Sequence, residues 1–389
     1  MVKGFEVVMV RGYDLKRDLT RVEELEKSCE IGSLLVDLMG DPLARIRQSP
    51  SFHMLAQIGD EIVGIIRGTI KMVTRGGNTL LDRRHEHDDV SPEINTTKLA
   101  FVSGLRVSPF YRRMGIGLKL VQRLEEWFRR NGAVYAYVQT ENDNAASVKL
   151  FTEKSGYSKF RTPTFLVNPV FNHRVTVSNR VKIIKLAPSV AESLYRNRFS
   201  STEFFPSDIN SILTNKLSLG TFLAVPRGSD YVTGSLPDPT KSWAVLSIWN
   251  SREVYRLQVK GTSRLKRYLA KTTRVFDGAF PFLKIPSFPN LFKPFSMHFL
   301  YGIGGEGPRA AEMVEALCSH AHNVARKSGC SVVAAEVASC EPLRVGVPHW
   351  KKLSPEDLWC LKRLRDDDDG VDWTKSTPGL SIFVDPRDI

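Results

Sequence analysis

Apolar residues change their spacing several times along the chain, and each change marks an element. Val7, Val8 and Val10 open the sequence as a strand, and Asp18 then heads a stretch with Val22, Leu25 and Cys29 at helical spacing. Residues 53–58 and 62–70 are β-branched runs on either side of Gly59, Asp60 and Glu61, which predicts a hairpin. Residues 74–97 are polar and read as a loop. Residues 99–107 form the next strand, which Pro109 halts. Ile116, Leu120, Leu124, Trp127 and Phe128 then fall on one face of a helix, and Asn131 with Gly132 ends it. Residues 134–140 read as a strand reached by a right-handed crossover, so the two strands flanking the helix should be parallel or splayed neighbours.

The same unit recurs. Shifted by 197 positions, Ile116, Leu120, Leu124, Trp127, Phe128 and Gly132 fall on Met313, Leu317, Ala321, Val324, Ala325 and Gly329, and Arg112 falls on Arg309. An apolar strand beginning at Val332 follows the second glycine. Upstream, residues 181–184, 222–225 and 243–248 echo the first strand order, and the proline-flanked stretches 162–169 and 377–386 close the two units alike. This pattern predicts an α/β protein with an α+β mixed sheet in each of two similar domains, residues 1–178 and 179–389, the second a degenerate copy.

A length of 389 residues suits two domains. No run approaches the roughly 20 apolar residues of a membrane span, and the first residues lack the basic and apolar regions of a secretory signal, so an intracellular, reducing location is expected. The five cysteines include no C-x-x-C pair, which argues against a zinc site or a disulfide framework. His85, His87 and Asp88 are either metal ligands or part of an exposed charge run; no metal is assigned to them. Lys and Arg number 55 against 42 Asp and Glu, a net charge of +13 that favours an anionic partner. Neither an aromatic-basic RNA signature nor a paired Cys/His finger is present, so direct nucleic-acid binding is not expected and a phosphate-bearing small molecule is preferred.

Chemistry concentrates between Leu105 and Gly117, where a strand, a basic turn and an R-x-x-G-x-G run (Arg112, Gly115, Gly117) precede the first amphipathic helix. A helix start offers unpaired amides and a positive dipole, and glycines let phosphate oxygens approach the backbone. The dinucleotide G-x-G-x-x-G and the nucleotide-triphosphate loop are both absent. This run resembles the characteristic segment of the GNAT superfamily of acetyl-CoA-dependent acetyltransferases. A second segment, residues 144–157 with Asn144, Ser147, Leu150, Phe151, Gly156 and Tyr157, resembles that family's N-x-x-A-x-x-L-Y-x-x-x-G-F element. The whole chain resembles the plant Hookless group of N-acetyltransferases, which is associated with the nucleus and with hormone-linked differential growth.

The resemblance implies tandem GNAT-like acyl-CoA N-acyltransferase domains and acetyl-CoA as co-substrate, with an amine, such as a protein lysine, as acceptor. The amides of Arg113, Met114, Gly115, Ile116, Gly117 and Leu118 would hold the pyrophosphate of CoA, with Arg112 beside it. Leu105 and Val107 would pair by backbone with the pantetheine arm, Val107 offering a bulge amide to the oxyanion. Asn144 and Phe151 would contact the cofactor from the second segment. Phe151 stands where the family often has a tyrosine acid, so Tyr157 is the alternative acid, unless it is packed core. Glu141 is the candidate base, against a plain surface carboxylate. Cys29 could carry an acetyl group, but direct transfer is preferred. The alternative function is a catalytically weak or inactive acetyl-CoA-binding scaffold; self-association is left open. In the second copy Gly115 becomes Glu312 and Gly117 becomes Val314, which predicts no CoA there, and Gly302, Gly304, Gly305 and Gly307 are expected to form a turn. Glu336 is either functional or a partnered structural carboxylate.

Overall fold

In a computed structural model the described residues are 7–29, 34–37, 51–75, 96–252, 254–259, 264–366 and 372–389. His85, His87 and Asp88 lie outside them. The first sheet holds β1 (Met9–Gly12), β3 (Ser51–Ile58), β4 (Glu61–Thr74), β5 (Thr96–Val107), β6 (Tyr135–Glu141), β15 (Asp357–Arg363) and β7 (Ser158–Arg161), in that spatial order. The second runs β8 (Thr164–Pro169), β14 (Val332–Val337), β13 (Met297–Glu306), β11 (Trp243–Asn250), β10 (Ser218–Pro226), β9 (Val181–Leu186). A small ribbon pairs β2 (Leu34–Asp37) with β12 (Arg256–Val259).

Each sheet carries one long helix on one face. On the first this is α2 (Ile116–Arg130), whose Ile116, Leu120, Leu124 and Phe128 are buried as their spacing predicts. It lies close because β4 places glycines beneath it: a Cβ on Gly68 would sit 2.6 Å from the Phe128 ring, and one on Gly64 3.0 Å from Leu120. Trp127 leans sideways and stacks on Phe52 at 4.7 Å. The opposite faces of the two sheets meet in one shared core, where Leu99, Phe101, Tyr135 and Tyr137 pack with Phe299, Tyr301, Val332 and Ala334. Helices α4 (Pro188–Phe199) and α5 (Ile209–Leu213) add Tyr195, Phe199 and Ile212 to that core. The first helix, α1 (Leu15–Ser28), starts earlier than the sequence suggests. Asp14 caps it, while Asp18 is buried in its first turn and bound to Arg11 at 2.6 Å.

The repeat is real in its central part. β5 and β6 pair in parallel from Leu99↔Tyr135 to Val102↔Val138, and β13 and β14 do so from Met297↔Val332 to Leu300↔Ala335. Both first strands carry a bulge at a left-handed glycine, Gly104 (φ +57°) and Gly302 (φ +62°). The bulge in β5 therefore lies at Gly104 rather than at Val107. Gly302, Gly304 and Gly305 lie inside β13 and form no turn.

The ends of the two units differ from expectation. Residues 164–169 are a strand, whereas 380–386 are not, because those C-terminal residues fill a cleft rather than extend a sheet. The strand that corresponds to β8 is β15, and the two are exchanged: β8 pairs with β14 in the second sheet, while β15 inserts between β6 and β7 in the first. A division of the chain near residue 178 thus leaves each sheet with a strand from the other half. Alternation suits β15 to this place, with Leu358 and Cys360 under α2 and Trp359 and Leu361 in the shared core.

Candidate active site

Beyond Val102 and Val138 the pairing of β5 with β6 ends and the strands form a fork. The bulge at Gly104 swings one arm away, and a Cβ there would lie 2.8 Å from Arg67. Residues 103–107 on one arm and 139–141 on the other are all half-exposed. At the mouth, Pro109–Tyr111 form a short 3-10 turn that leads into residues 112–115, all exposed. Arg113 (φ +65°) and Gly115 (φ +78°) are both left-handed, as in turns that gather successive amides around an anion. Gly115 heads α2 without any side-chain cap, the first helical turn has no acidic residue, and a Cβ on Gly115 would meet nothing within 4 Å. Gly117 is the next step inward: a Cβ there would touch Leu150, Val107 and Leu105 at 3.4–3.9 Å. Uncapped amides, exposed Arg112 and Arg113, and open space make a cradle that fits a pyrophosphate.

The residues expected near this cradle divide into two groups. Leu105, Val107, Arg112, Arg113, Met114, Gly115, Ile116, Gly117 and Leu118 come together at the fork and the start of α2; Ile116 is buried and Met114 well exposed. The Val107 carbonyl receives Arg112 Nε at 3.4 Å and Cys29 Sγ at 3.6 Å. Cys29 is buried behind the strand and serves that packing. The second segment packs against the start of α2 through Leu150, which lies 3.4 Å from a Cβ placed on Gly117. Asn144 caps its own helix α3 (Ala145–Lys149) by accepting from the Ser147 amide at 3.2 Å, and it is exposed. Phe151 is buried under α2, with Tyr157 edge-on at 5.3 Å. Tyr157 is itself buried, and its hydroxyl lies beside Glu125, more than two turns along α2 from Gly115. Burial and that carboxylate push it well above its ordinary pKa. It is a core residue, and the role of acid is withdrawn from it.

Glu141, the last residue of β6, stands on the arm of the fork. Directly across from it is Asp357 of the exchanged strand β15, on the face that carries Tyr137 and Trp359 into the shared core. Burial and the charge of Glu141 push Asp357 up to about 7, and burial with Asp143 raises Glu141. Glu336 of β14 lies deeper, its Oε1 accepting from Trp359 Nε1 at 2.6 Å, and burial with the Asp357 charge keeps it well above the carboxylate range. It is a partnered structural carboxylate. Asp357 escaped notice in the sequence because only the strand exchange brings it to Glu141.

The second fork is closed. Its arms, residues 301–303 and 336–338, are buried, and with Glu341, Ile382 and Val384 they line a gap of only about 10 Å³. Helix α7 (Ala310–Lys327) is 18 residues long against 15 for α2, although the helices end at matching points, so its extra turn overruns the cradle position. Arg309 binds Glu312 through two contacts, at 2.9 and 3.0 Å, across that start. The C-terminal segment is held by Phe383, edge-on to Tyr195, Phe199, Phe205 and Tyr301, and by ion pairs of Arg387 with Asp208 and Asp385 and of Lys71 with Asp385 and Asp388.

A model of the acetyltransferase (GNAT) family matches residues 19–157, the span that holds the open fork. Over 404 residues, 98% of this chain and 100% of the relative, the sequence is 61% identical to "Probable N-acetyltransferase HLS1" of Arabidopsis thaliana. The chain belongs to the GNAT acetyltransferase family. This GNAT chain is also 37% identical over 432 residues to "Acetyl transferase GW6a" of Oryza sativa subsp. japonica, covering 98% of this chain and 97% of that one. Its fold as a whole is shared by a GCN5-related N-acetyltransferase from Sphaerobacter thermophilus, with a TM-score of 0.52 at 14% identity over 95% of this chain and 98% of that one. This GNAT protein is an acyltransferase with an acyl-CoA co-substrate. Among its described residues no group of three His, Cys, Asp or Glu could hold a metal ion, and no helix is long and apolar enough to cross a membrane.

Proposed function

We propose that the chain transfers acetyl from acetyl-CoA to an amine, with a protein lysine as the acceptor, and that it does so in the nucleus as part of hormone-linked growth control. The chemistry rests on one observation: of two related forks, the first alone is open, and it leads to an uncapped helix start. The setting rests on resemblance to the plant relatives. Bound acetyl-CoA supplies an activated acyl group as a thioester. The chain's own residues do the rest. The amides of residues 113–118 hold the pyrophosphate, and the half-exposed arms of the fork accept the extended pantetheine by backbone pairing. Glu141, with Asp357 directly across the strand pair, takes the proton that the attacking amine must lose. Because β15 brings Asp357, the second half of the chain completes a site built on the first.

A screen of amine acceptors that reads released CoA tests this. Turnover should appear with a lysine-containing acceptor, disappear in Gly115→Glu, and fall by about 10²–10⁴ in Glu141→Gln. Its pH profile should rise through about 7, where Asp357 titrates. Full turnover in Glu141→Gln would remove the carboxylate pair from the mechanism. Absence of turnover with every acceptor, although acetyl-CoA binds, would favour the scaffold reading.

A further inference from the structure

Helix α6 (Arg264–Ala279) faces the wrong way for a helix lying on a protein surface. Its inward residues are Ala270, Thr273, Arg274 and Asp277, at i, i+3, i+4 and i+7, and polar contacts hold them. Asn172 Nδ2 donates to the Arg274 carbonyl at 2.9 Å, and Arg274 donates to the Val170 carbonyl. Asp277 accepts from the Asn172 amide at 2.7 Å, binds His173 Nδ1 at 2.6 Å and accepts from the Ser287 hydroxyl. The opposite stripe is apolar and points to solvent: Tyr268, Leu269, Val275 and Phe276, continued past the helix end by Phe280 and Phe282. Tyr268 is 67%, Val275 64% and Phe282 73% exposed. Phe276 and Phe280 touch at 4.9 Å and Phe280 and Phe282 at 6.1 Å, so these rings form one surface, which Thr272 separates from Tyr268 one turn back. A soluble protein rarely leaves such a face bare unless something covers it.

Charge says what kind of partner that is. Arg267 and Lys271 are exposed along one edge of the stripe, and the helix's sole carboxylate, Asp277, is buried on the far side. A second copy packed antiparallel on the stripe would set two such positive edges against each other. An anionic bilayer is the competing occupant of a basic-edged apolar stripe, and the vesicle arm of the test below separates the two. We propose that this surface docks an amphipathic helix of a partner protein whose apolar seam is bordered by Asp and Glu. From Tyr268 to Phe280 the stripe is about 18 Å long, which matches about three turns of such a helix. This inference is independent of the acetyl-transfer reading.

Two labelled helical peptides of about 18 residues, sharing a leucine seam but flanked by Glu in one and Lys in the other, test it by fluorescence anisotropy against the full chain. The Glu peptide should bind about tenfold or more tightly than its Lys twin, and added salt should weaken it. Phe276→Ser with Phe282→Ser should lower that affinity about tenfold while circular dichroism stays unchanged. Arg267→Glu with Lys271→Glu should reverse the preference. Equal binding of both peptides, no binding, or a preference that survives charge reversal would overturn the proposal. So would sedimentation with 7:3 phosphatidylcholine–phosphatidylserine vesicles, or dimerisation, if either is abolished by the double serine variant.

Discussion

The two forks of this molecule share a plan and differ in what fills them. Each is a parallel strand pair that parts after four paired positions, with a left-handed bulge glycine on one arm and a long helix starting at its mouth. In the first, the arms are half-exposed and the helix starts on an open glycine. In the second, the arms are buried, the helix begins a turn earlier, Glu312 sits where an anion would, and the chain's own C-terminal residues take the remaining space. In both units the face turned away from the long helix lies in the shared core, so the closed unit still has a packing role. Only the first fork leaves room for a ligand at its mouth.

If the closed fork is now structural, its plug should matter to stability far more than anything at the open mouth. Phe383→Ala removes a ring buried among four others and should cost about 3–5 kcal/mol in urea unfolding. Phe110→Ala, 90% exposed beside the cradle, should stay within about 0.5 kcal/mol. Similar values for the two would break the comparison. The next effect is on ligand. Gly115→Glu places bulk, a negative charge and a strained left-handed residue in the cradle, and should weaken acyl-CoA about 100-fold or more by calorimetry. Arg309→Ala, at the equivalent start of α7, should leave that affinity within about twofold.

A smaller effect follows from Asp357. Its folded pKa, about 7, stands above the unfolded value of about 3.9, so its ionised form opposes folding. The contribution of Asp357 to stability should therefore fall as pH rises from about 4 to 7, an effect read as the difference between wild type and variant because the buried His53, His298 and His322, held down to about 4, act in the opposite direction. Asp357→Asn should remove that loss, leaving the variant more stable than wild type at pH 8 by on the order of 1–3 kcal/mol and equal to it at pH 4. Parallel pH–stability curves for the two would show that Asp357 is an ordinary exposed carboxylate.

Much of the first unit was legible because its signals are local. The stripe from Ile116 to Phe128, the Asn131-Gly132 stop and the R-x-x-G-x-G run all lie within the stretch that builds the fork. The repeat was legible for the same reason, through a second helix and glycine at one spacing. What could not be read depends on long-range pairing. Alternation in residues 357–363 shows a strand with two buried faces, yet the sheet it joins is set by packing across more than 200 residues. Without that exchange Asp357 has no visible partner and Glu141 looks like a surface carboxylate. Tyr157 misled because a tyrosine near a cofactor motif and one closing a helix–strand corner have the same local sequence.

The central claim is one acyl-CoA per chain, held at residues 112–117. Native mass spectrometry of the monomer in excess CoA counts the bound molecules directly. The account predicts a single specific ligand, lost in Gly115→Glu and retained in Arg309→Ala. Two specific ligands per chain, with the second lost on changing Arg309, would contradict it by showing that the closed fork is a working site.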